Sequence, residues 1–230
     1  MGEPGAGLDG LLTVAHRFGN HPLLLHEAQR AGVDLIEADV WLYRGRIEVR
    51  HLKTMRRVPL LWDRWKLAPG WTPRLRLEAV LQALRSGSHV YLDLKGTAPG
   101  LPAAAMAAMR ELAPGMPYAV SSPNWGFLEP FNDVRDAEVR VIYTAGDERM
   151  LRGVTAPLRE HTGSSVAIHR ALVSAAAVER LREVADTVFS WTLNDEATLR
   201  HALDCGVRGV ISDNLALLRR LLEQRETPPD

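Results

Sequence analysis

The sequence has very little cysteine. Cys205 is the single cysteine among 230 residues. One cysteine excludes a disulfide within the chain and a zinc site built from several cysteines. We interpret Cys205 as a small apolar residue near the end of a helix.

Long apolar runs and an excess of charge are also absent. No stretch approaches the roughly 20 apolar residues that span a bilayer, and the first ten residues contain no basic segment followed by an apolar core. The sequence therefore predicts no transmembrane segment and a cytoplasmic location. Lys plus Arg and Asp plus Glu both number 28, which disfavours nucleic acid as a partner and leaves a small molecule. The oligomeric state stays open.

Strand-like apolar runs alternate with amphipathic helical stretches along the whole chain. This alternation predicts α/β architecture, and eight βα units predict a (β/α)8 TIM barrel. We expect a single domain over residues 11–224 between flexible tails, 1–10 and 225–230. The predicted strands span residues 11–17, 35–43, 89–95, 118–122, 138–144, 165–170, 187–193 and 208–212. The predicted helices span residues 22–32, 77–86, 101–112, 125–135, 147–158, 174–185, 195–205 and 214–224.

A small β-hairpin is predicted to extend the second strand, with its turn at residues 44–46. A three-residue loop with a bulge would place His51 opposite Asp39. A two-residue loop would instead place His51 opposite Ala38 and turn it away. We predict the longer loop, because it brings His51 to Asp39.

The connection from residue 51 to residue 77 is too long for a simple loop, and such loops are often functional. Two interpretations stay open: a lid or groove for an amphipathic, anionic substrate, or tryptophans that pack the loop onto the barrel. The residues that motivate both are Trp62, Trp65 and Trp71, with Lys53, Arg56, Arg57, Arg64, Lys66 and Arg74.

Carboxylates lie within or at the ends of the second and third predicted strands. Glu37 and Asp39 are two residues apart, so both face the same side of a strand, and Asp93 lies near the end of the next barrel strand. Neighbouring carboxylates repel each other unless a cation lies between them. Three hard oxygen ligands therefore predict a divalent-cation site for Mg²⁺ or Ca²⁺.

Cations and histidines complete a predicted phosphate-chemistry site. Arg17 and Lys95 lie at strand ends near the acids, where a guanidinium and an ammonium suit a phosphodiester oxyanion. His16 and His51 are predicted to accept and donate protons, because imidazole titrates near neutral pH.

For the other side chains at strand ends, the sequence predicts less specific roles. Trp191 is predicted either to line the cavity or to belong to the core. His169 and Arg170 are expected to pair with barrel carboxylates. Three further residues are expected to cap helices or hold loops: Ser121, Ser122 and Asp213.

Together these motifs resemble the glycerophosphodiester phosphodiesterase family of the phospholipase C-like phosphodiesterase superfamily. The resemblance covers nearly the whole chain. It implies a TIM barrel and metal-dependent cleavage to glycerol 3-phosphate and an alcohol, a reaction of lipid metabolism, through a cyclic phosphate. It also implies that His16 and His51 are the acid/base pair, Glu37, Asp39 and Asp93 the metal ligands, and Arg17 and Lys95 the phosphate contacts. As a cavity-wall residue, Trp191 is the further predicted substrate-binding residue. The motifs that carry it are His16-Arg17, Ile36–Val40, His51, Asp93–Lys95, Trp191–Asn194 and Gly209–Asp213.

Some positions depart from that family pattern. Phe18 and Leu52 replace a glycine and an aspartate, and Asp93 replaces a glutamate. The Asp93–Lys95 motif resembles the related sphingomyelinase D branch, although the paired cysteines of its secreted toxins are missing. Two alternatives therefore stay open: a phospholipase D-like enzyme acting on lysophospholipids or sphingolipids, and a catalytically silent barrel that binds a phosphorylated ligand.

Overall fold

The computed structural model of the protein describes residues 10–54, 60–63, 66–69, 74–133 and 139–226. The strands in these ranges are β1 (Leu12–Ala15), β2 (Leu35–Tyr43), β3 (Arg46–Val49), β4 (Lys53–Thr54), β5 (Leu60–Asp63), β6 (Lys66–Pro69), β7 (Leu75–Arg76), β8 (His89–Leu94), β9 (Tyr118–Ser122), β10 (Val139–Ala145), β11 (Ser165–His169), β12 (Val188–Trp191) and β13 (Gly209–Ser212). The α-helices are α1 (Pro22–Ala31), α2 (Leu77–Ala83), α3 (Leu101–Leu112), α4 (Glu129–Asn132), α5 (Glu148–Gly153), α6 (Thr155–Glu160), α7 (Ala175–Arg182), α8 (Glu196–Asp204) and α9 (Leu215–Glu226).

Eight of these strands form a closed parallel barrel in the order β1, β2, β8, β9, β10, β11, β12 and β13. Because β1 pairs with both β2 and β13, the ring has no open edge. The predicted (β/α)8 TIM barrel is confirmed, and the other strands lie outside the ring.

Alternation along each barrel strand separates a helix-facing core from the barrel interior. On β2, Ile36 and Ala38 pack in the large core under the helices, whereas Leu35 faces the interior. The interior layer is apolar and fully packed. On most strands the next inward position, two residues later, carries a polar side chain or Trp191. The interior layer consists of Val14, Leu35, Tyr91, Ala119, Ile142, Ala167, Phe189 and Ile211.

The hairpin between β2 and β3 has a two-residue loop, so the predicted three-residue loop is wrong. Tyr43 pairs with Arg46, and the loop consists of Arg44 and Gly45. Both loop residues have positive φ, 49° and 74°. Such a turn matches the twist of the paired strands, which explains why the shorter loop is preferred.

The long connection after β3 contains further β-structure. β4, β5 and β6 form a small antiparallel sheet, and β7 pairs with β3. Trp62 is 39% exposed, and Lys53 Nζ lies 5.5 Å from the centre of its ring. The other residues that motivated a lid lie outside the described residues, or have side chains that do: Trp65, Trp71, Arg56, Arg57, Arg64 and Lys66.

Two predicted helices are interrupted. The segment 147–158 divides into α5 and α6 at Val154. Pro157 contributes to this break, because it lacks the N–H that would continue the helix. The segment 125–135 contains a 3₁₀ turn, Trp125–Phe127, followed by the single turn of α4.

The last helix extends further than predicted. Arg225 belongs to α9 and donates to the Leu11 carbonyl at 2.9 Å and to Asp34 Oδ2 at 2.9 Å. Residues 225 and 226, assigned to the C-terminal tail from the sequence, are therefore helical. None of the helices described here has the length and apolar character needed to cross a bilayer.

The packing of Gly209 against Phe189 yields a stability prediction. A Cβ atom at Gly209 would lie 1.9 Å from Phe189 Cδ1. We expect Gly209→Ala to destabilise the protein by about 1–3 kcal/mol or more, measured by urea unfolding. Because both residues share one interior space, Phe189→Leu should partly restore the loss. Strictly additive effects in the double variant would contradict this packing.

Candidate active site

Three carboxylates meet at the C-terminal end of the barrel. One oxygen atom from each of Glu37, Asp39 and Asp93 lies within 4.8 Å of the others. The strand register explains this meeting, because Asp39 and Asp93 are paired across β2 and β8. Glu37 is 3% exposed and Asp39 1% exposed. We refer to these three residues as the acidic cluster.

Glu37 is the most strongly perturbed member of the acidic cluster. Its Oε2 accepts a 2.6 Å hydrogen bond from the Arg17 N–H. Its buried Oε1 has no hydrogen-bond partner among the described residues. Burial raises the pKa of Glu37 well above its ordinary value of 4.5, and the charges of Asp39 and Asp93 raise it further.

Lys95 lies between the two aspartates. Its Nζ is 3.1 Å from Asp39 Oδ1 and also contacts Asp93 Oδ2. Burial alone would lower the pKa of Lys95, but Asp93, Asp39 and Glu37 together raise it, so the ammonium stays charged. Ser121 donates to Asp93 Oδ1 at 3.0 Å.

Asn20 holds Asp39 through two hydrogen bonds. Its Nδ2 donates to Asp39 Oδ2 at 2.7 Å, and its Oδ1 accepts from the Asp39 N–H at 2.9 Å. Burial would raise the pKa of Asp39, but Lys95, the Asn20 hydrogen bond and the charge of His51 together lower it. Asp39 is therefore a carboxylate at neutral pH. His51 lies close enough to interact electrostatically with it, despite the two-residue loop.

His16 is oriented by Asp213 across the seam of the barrel. His16 Nδ1 is 2.8 Å from Asp213 Oδ1, and His16 Nε2 is 4.0 Å from Glu37 Oε2. Because a carboxylate only accepts hydrogen bonds, it fixes the proton on Nδ1 and leaves Nε2 available as a base. Burial alone would raise the pKa of Asp213, but hydrogen bonds from His16 and Asn194 lower it to about 2.

Arg17 has a strained backbone at the site. Its φ is 63°, a left-handed conformation that directs the Arg17 N–H at Glu37. The following turn approaches β2 closely at Gly19, where a Cβ would lie 2.7 Å from Ala38 Cβ. Phe18 packs in the core under the helices and not in the site.

Trp191 and His169 lie on the opposite half of the barrel mouth. Their ring centres are 4.9 Å apart in an edge-on arrangement. His169 Nδ1 accepts from the Ala171 N–H, and within the described residues His169 contacts Trp191 and no carboxylate, contrary to the prediction. Trp191 packs on the interior layer, and its buried Nε1 has no partner among the described residues.

The two serines at strand ends and Asp213 make different kinds of contact in the structure. Ser122 holds a loop as predicted, since its Oγ donates to the Leu94 carbonyl and accepts from Asn124. Ser121 donates to Asp93 Oδ1 and Asp213 contacts His16, so both residues also bond to predicted site residues. Asn194 and Asp213 lie in motifs that carry the family resemblance, but the sequence did not indicate their contacts with His16 and with each other. Asn20 had no distinguishing signal beyond its position after a barrel strand.

The residues of the acidic cluster fit a divalent cation. Three acidic side chains share a single ammonium, so the acidic groups outnumber the cations in this site. All ligands are hard oxygen atoms, the type that Mg²⁺ and Ca²⁺ prefer. The unpartnered Glu37 Oε1 is an acceptor that such an ion would satisfy.

Solved structures share this fold. A phosphodiesterase from Oleispira antarctica, solved with its product sn-glycerol-3-phosphate, has a TM-score of 0.74 and 19% identity, covering 92% of this chain and 96% of its own. The glycerophosphodiester phosphodiesterase from Thermotoga maritima has a TM-score of 0.71 and 19% identity, covering 92% and 98%. That from Parabacteroides distasonis has a TM-score of 0.71 and 18% identity, covering 95% and 99%.

Sequence comparison adds no further relative. No family profile matches the chain, and no curated protein matches it in sequence. At these low identities the structural likeness establishes the fold.

The variant Glu37→Gln separates two effects on the stability of the fold: destabilisation by the buried carboxylate and stabilisation by a bound cation. A carboxyl whose pKa rises on folding stabilises the fold below its ordinary pKa of 4.5. It loses that contribution as the pH rises through its folded pKa. At neutral pH in EDTA, we therefore expect Glu37→Gln to have a higher Tm than the wild type. Mg²⁺ or Ca²⁺ at about 100 times Kd should raise the wild-type Tm by roughly 5–10 °C, and the variant's much less.

The exposed Glu179 on α7 provides a matched control. Glu179→Gln should leave both the Tm in EDTA and the response to divalent ions unchanged. Equal responses to the ions in the wild type and Glu37→Gln would contradict a cation site at the acidic cluster.

Proposed function

We propose that this protein is a metal-dependent glycerophosphodiester phosphodiesterase. It would hydrolyse glycerophosphodiesters to glycerol 3-phosphate and an alcohol. The observation that carries the proposal is the acidic cluster at one end of a closed barrel, with His16 Nε2 4.0 Å from Glu37 Oε2. The electrostatic effect of His51 on Asp39 supports the assignment of the second histidine. The shared fold with solved phosphodiesterases supports it.

The acidic cluster would hold Mg²⁺ or Ca²⁺. When bound, such an ion supplies positive charge that stabilises developing negative charge on a phosphoryl oxygen. Lys95, which stays protonated between Asp39 and Asp93, adds a compact positive charge beside the same phosphate. Arg17 lies close enough to influence Asp213 and can provide a guanidinium fork to a phosphate oxygen.

His16 is the proposed general base. Its Nε2, directed toward Glu37 by the Asp213 hydrogen bond, removes the proton from the glycerol 2-hydroxyl. That oxygen forms a bond to phosphorus, and the bond between phosphorus and the alcohol oxygen breaks. His51 protonates the departing alcohol. Water then opens the cyclic phosphate, with the two histidines in exchanged roles.

A phosphorus NMR assay tests the reaction directly. With glycerophosphocholine and Mg²⁺ or Ca²⁺, we expect the glycerol 3-phosphate resonance to appear, and EDTA should abolish it. Asp39→Ala should abolish the metal-dependent activity while folding persists. His16→Ala and His51→Ala should each lower kcat at least about 10²-fold, the usual contribution of an acid/base group.

His89 provides the matched histidine control. It lies at the N-terminal end of barrel strand β8, away from the site, so His89→Ala should retain kcat. If His16→Ala and His51→Ala also retain kcat, the assignment of these histidines as the acid/base pair is wrong. If the wild type cleaves nothing while binding a phosphorylated ligand, the protein is a silent binding barrel.

A second candidate is cleavage of lysophospholipids. The large apolar side chains that are exposed in the described part of the chain all lie on segments that follow the C-terminal ends of β1 and β2. They are Leu23, Leu24, Trp62 and Leu67. Exposed apolar side chains on these segments would suit a substrate with an acyl chain.

Comparison of two substrates separates these candidates. We expect kcat/KM to be higher for glycerophosphocholine than for lysophosphatidylcholine, because the site itself contains the phosphate chemistry and no closed acyl channel is needed. The double variant Leu67→Asp/Leu23→Asp should then leave glycerophosphocholine turnover unchanged. A strong preference for the acylated substrate that this variant removes would favour the second candidate.

A further inference from the structure

Residues 50–52 leave the hairpin beside the acidic cluster. The Arg50 N–H donates to the Asp39 carbonyl at 2.9 Å, which is the final pairing of this edge. In a continued ladder, His51 would oppose Ala38, whose side chain packs under the helices. The chain instead bends at His51. This bend allows His51 to interact with Asp39.

Two side-chain hydrogen bonds hold the carbonyl groups on both sides of His51. Trp41 Nε1 donates to the Arg50 carbonyl at 2.8 Å. The Arg50 guanidinium donates through Nη1 to the Leu52 carbonyl. The backbone that carries His51 is therefore fixed both before and after this residue.

Arg50 is itself firmly held. It is 6% exposed, and its guanidinium lies 4.7 Å from the centre of the Trp41 ring. Arg50 Nε donates to Glu48 Oε2 at 2.8 Å. A planar guanidinium can stack on the ring and bond to two acceptors at once, which an ammonium cannot do.

The Trp41 ring connects this segment to the end of β8. A Cβ atom at Gly96 would lie 2.9 Å from the Trp41 ring, so the ring packs directly on the backbone that follows Lys95. Gly96 has a φ of 83°, which also favours glycine there. Movement of Trp41 or Arg50 would therefore displace His51 relative to Lys95.

We propose that Arg50 is a positioning residue that holds His51 at the acidic cluster, an inference that rests on the proposed function. The two-residue hairpin loop alone would turn His51 away from Asp39. The hydrogen bond from Arg50 to the Leu52 carbonyl stabilises the bend that reverses this direction. Arg50 acts through the backbone of residues 50–52 and does not contact the reacting atoms.

Arg74 offers a matched control. It donates to both Glu48 oxygens at 2.5 Å and lies 4.8 Å from the centre of the Tyr43 ring. Its side chain is 10% exposed, against 6% for Arg50. Within the described residues, the hydrogen bonds of Arg74 go to Glu48 alone and none reaches residues 50–52. Both arginines therefore stabilise the hairpin, but only Arg50 holds the His51 backbone.

The test compares Arg50→Met with Arg74→Met in steady-state kinetics on glycerophosphocholine. Arg50→Met should lower kcat by about 10- to 100-fold with little change in KM, because a displaced acid/base group impairs chemistry more than binding. Arg50→Lys should recover part of this loss. Arg74→Met should keep kcat within about twofold of the wild type. Equal losses of kcat in both methionine variants would reduce Arg50 to a general structural role and overturn the proposal.

A spectroscopic readout separates this inference from the proposed function. In protein labelled with ¹⁵N-histidine, the His51 imidazole resonance is assigned with His51→Gln. It should shift or broaden in Arg50→Met and stay unchanged in Arg74→Met, even if the wild type shows no phosphodiesterase activity. An unchanged His51 resonance in Arg50→Met would overturn the proposal.

Trp41→Phe provides a second variant should Arg50→Met fail to fold. It keeps a ring against Gly96 and Arg50 but removes the Nε1–H that holds the Arg50 carbonyl. We expect the same shift of the His51 resonance and a smaller loss of kcat. An unchanged resonance in this variant would count against the positioning of His51.

Discussion

The structure depends on an unbalanced negative charge held at one end of a closed barrel. Glu37, Asp39 and Asp93 converge with only Lys95 between them, and two of the three acids are almost fully buried. Beneath them lies a largely apolar layer that offers no compensating positive charge. Burial of this charge is unfavourable unless a cation and fixed hydrogen bonds stabilise it. The surrounding residues follow from that requirement: Asn20, the Arg17 N–H and Ser121 each donate to one carboxylate.

Closure of the barrel orients His16, the proposed base, and also forms the scaffold. His16 and Asp213 are 197 residues apart in sequence, yet they meet because β1 pairs with β13. Asn194, from the end of the neighbouring strand, bonds to both the backbone and the carboxylate of Asp213. The histidine is thus oriented by the seam of the ring, and the orientation exists only when the last strand is in place. The orientation of the proposed base therefore depends on complete folding.

Much of this architecture could be predicted from the sequence. Strand positions followed from apolar runs, and the inward direction of Glu37, Asp39 and Asp93 followed from the two-residue period of a strand. The hairpin register could not be predicted, because it depends on whether Arg44 adopts a positive φ, which is uncommon for this residue type. We predicted the three-residue loop, because it would direct His51 inward. In the structure the loop has two residues, and a bend after Arg50 changes the direction of His51 instead.

Roles that depend on tertiary neighbours were also missed. Asp213 and Ser121 resemble ordinary capping or loop residues in the sequence, and only the strand order places them beside His16 and Asp93. His169 was expected to find a carboxylate, but the acids lie across the barrel and Trp191 is its neighbour. Such contacts are set by which strands are adjacent in the ring, which the local sequence does not encode.

The most direct test of the central claim is a crystal structure of the protein soaked in Mn²⁺, with the ion located by anomalous scattering. The account predicts an anomalous peak within ligand distance of Glu37, Asp39 and Asp93, with Glu37 Oε1 among its ligands. A structure in which Lys95 still bridges the two aspartates and the anomalous peak lies elsewhere, or is absent, would contradict it.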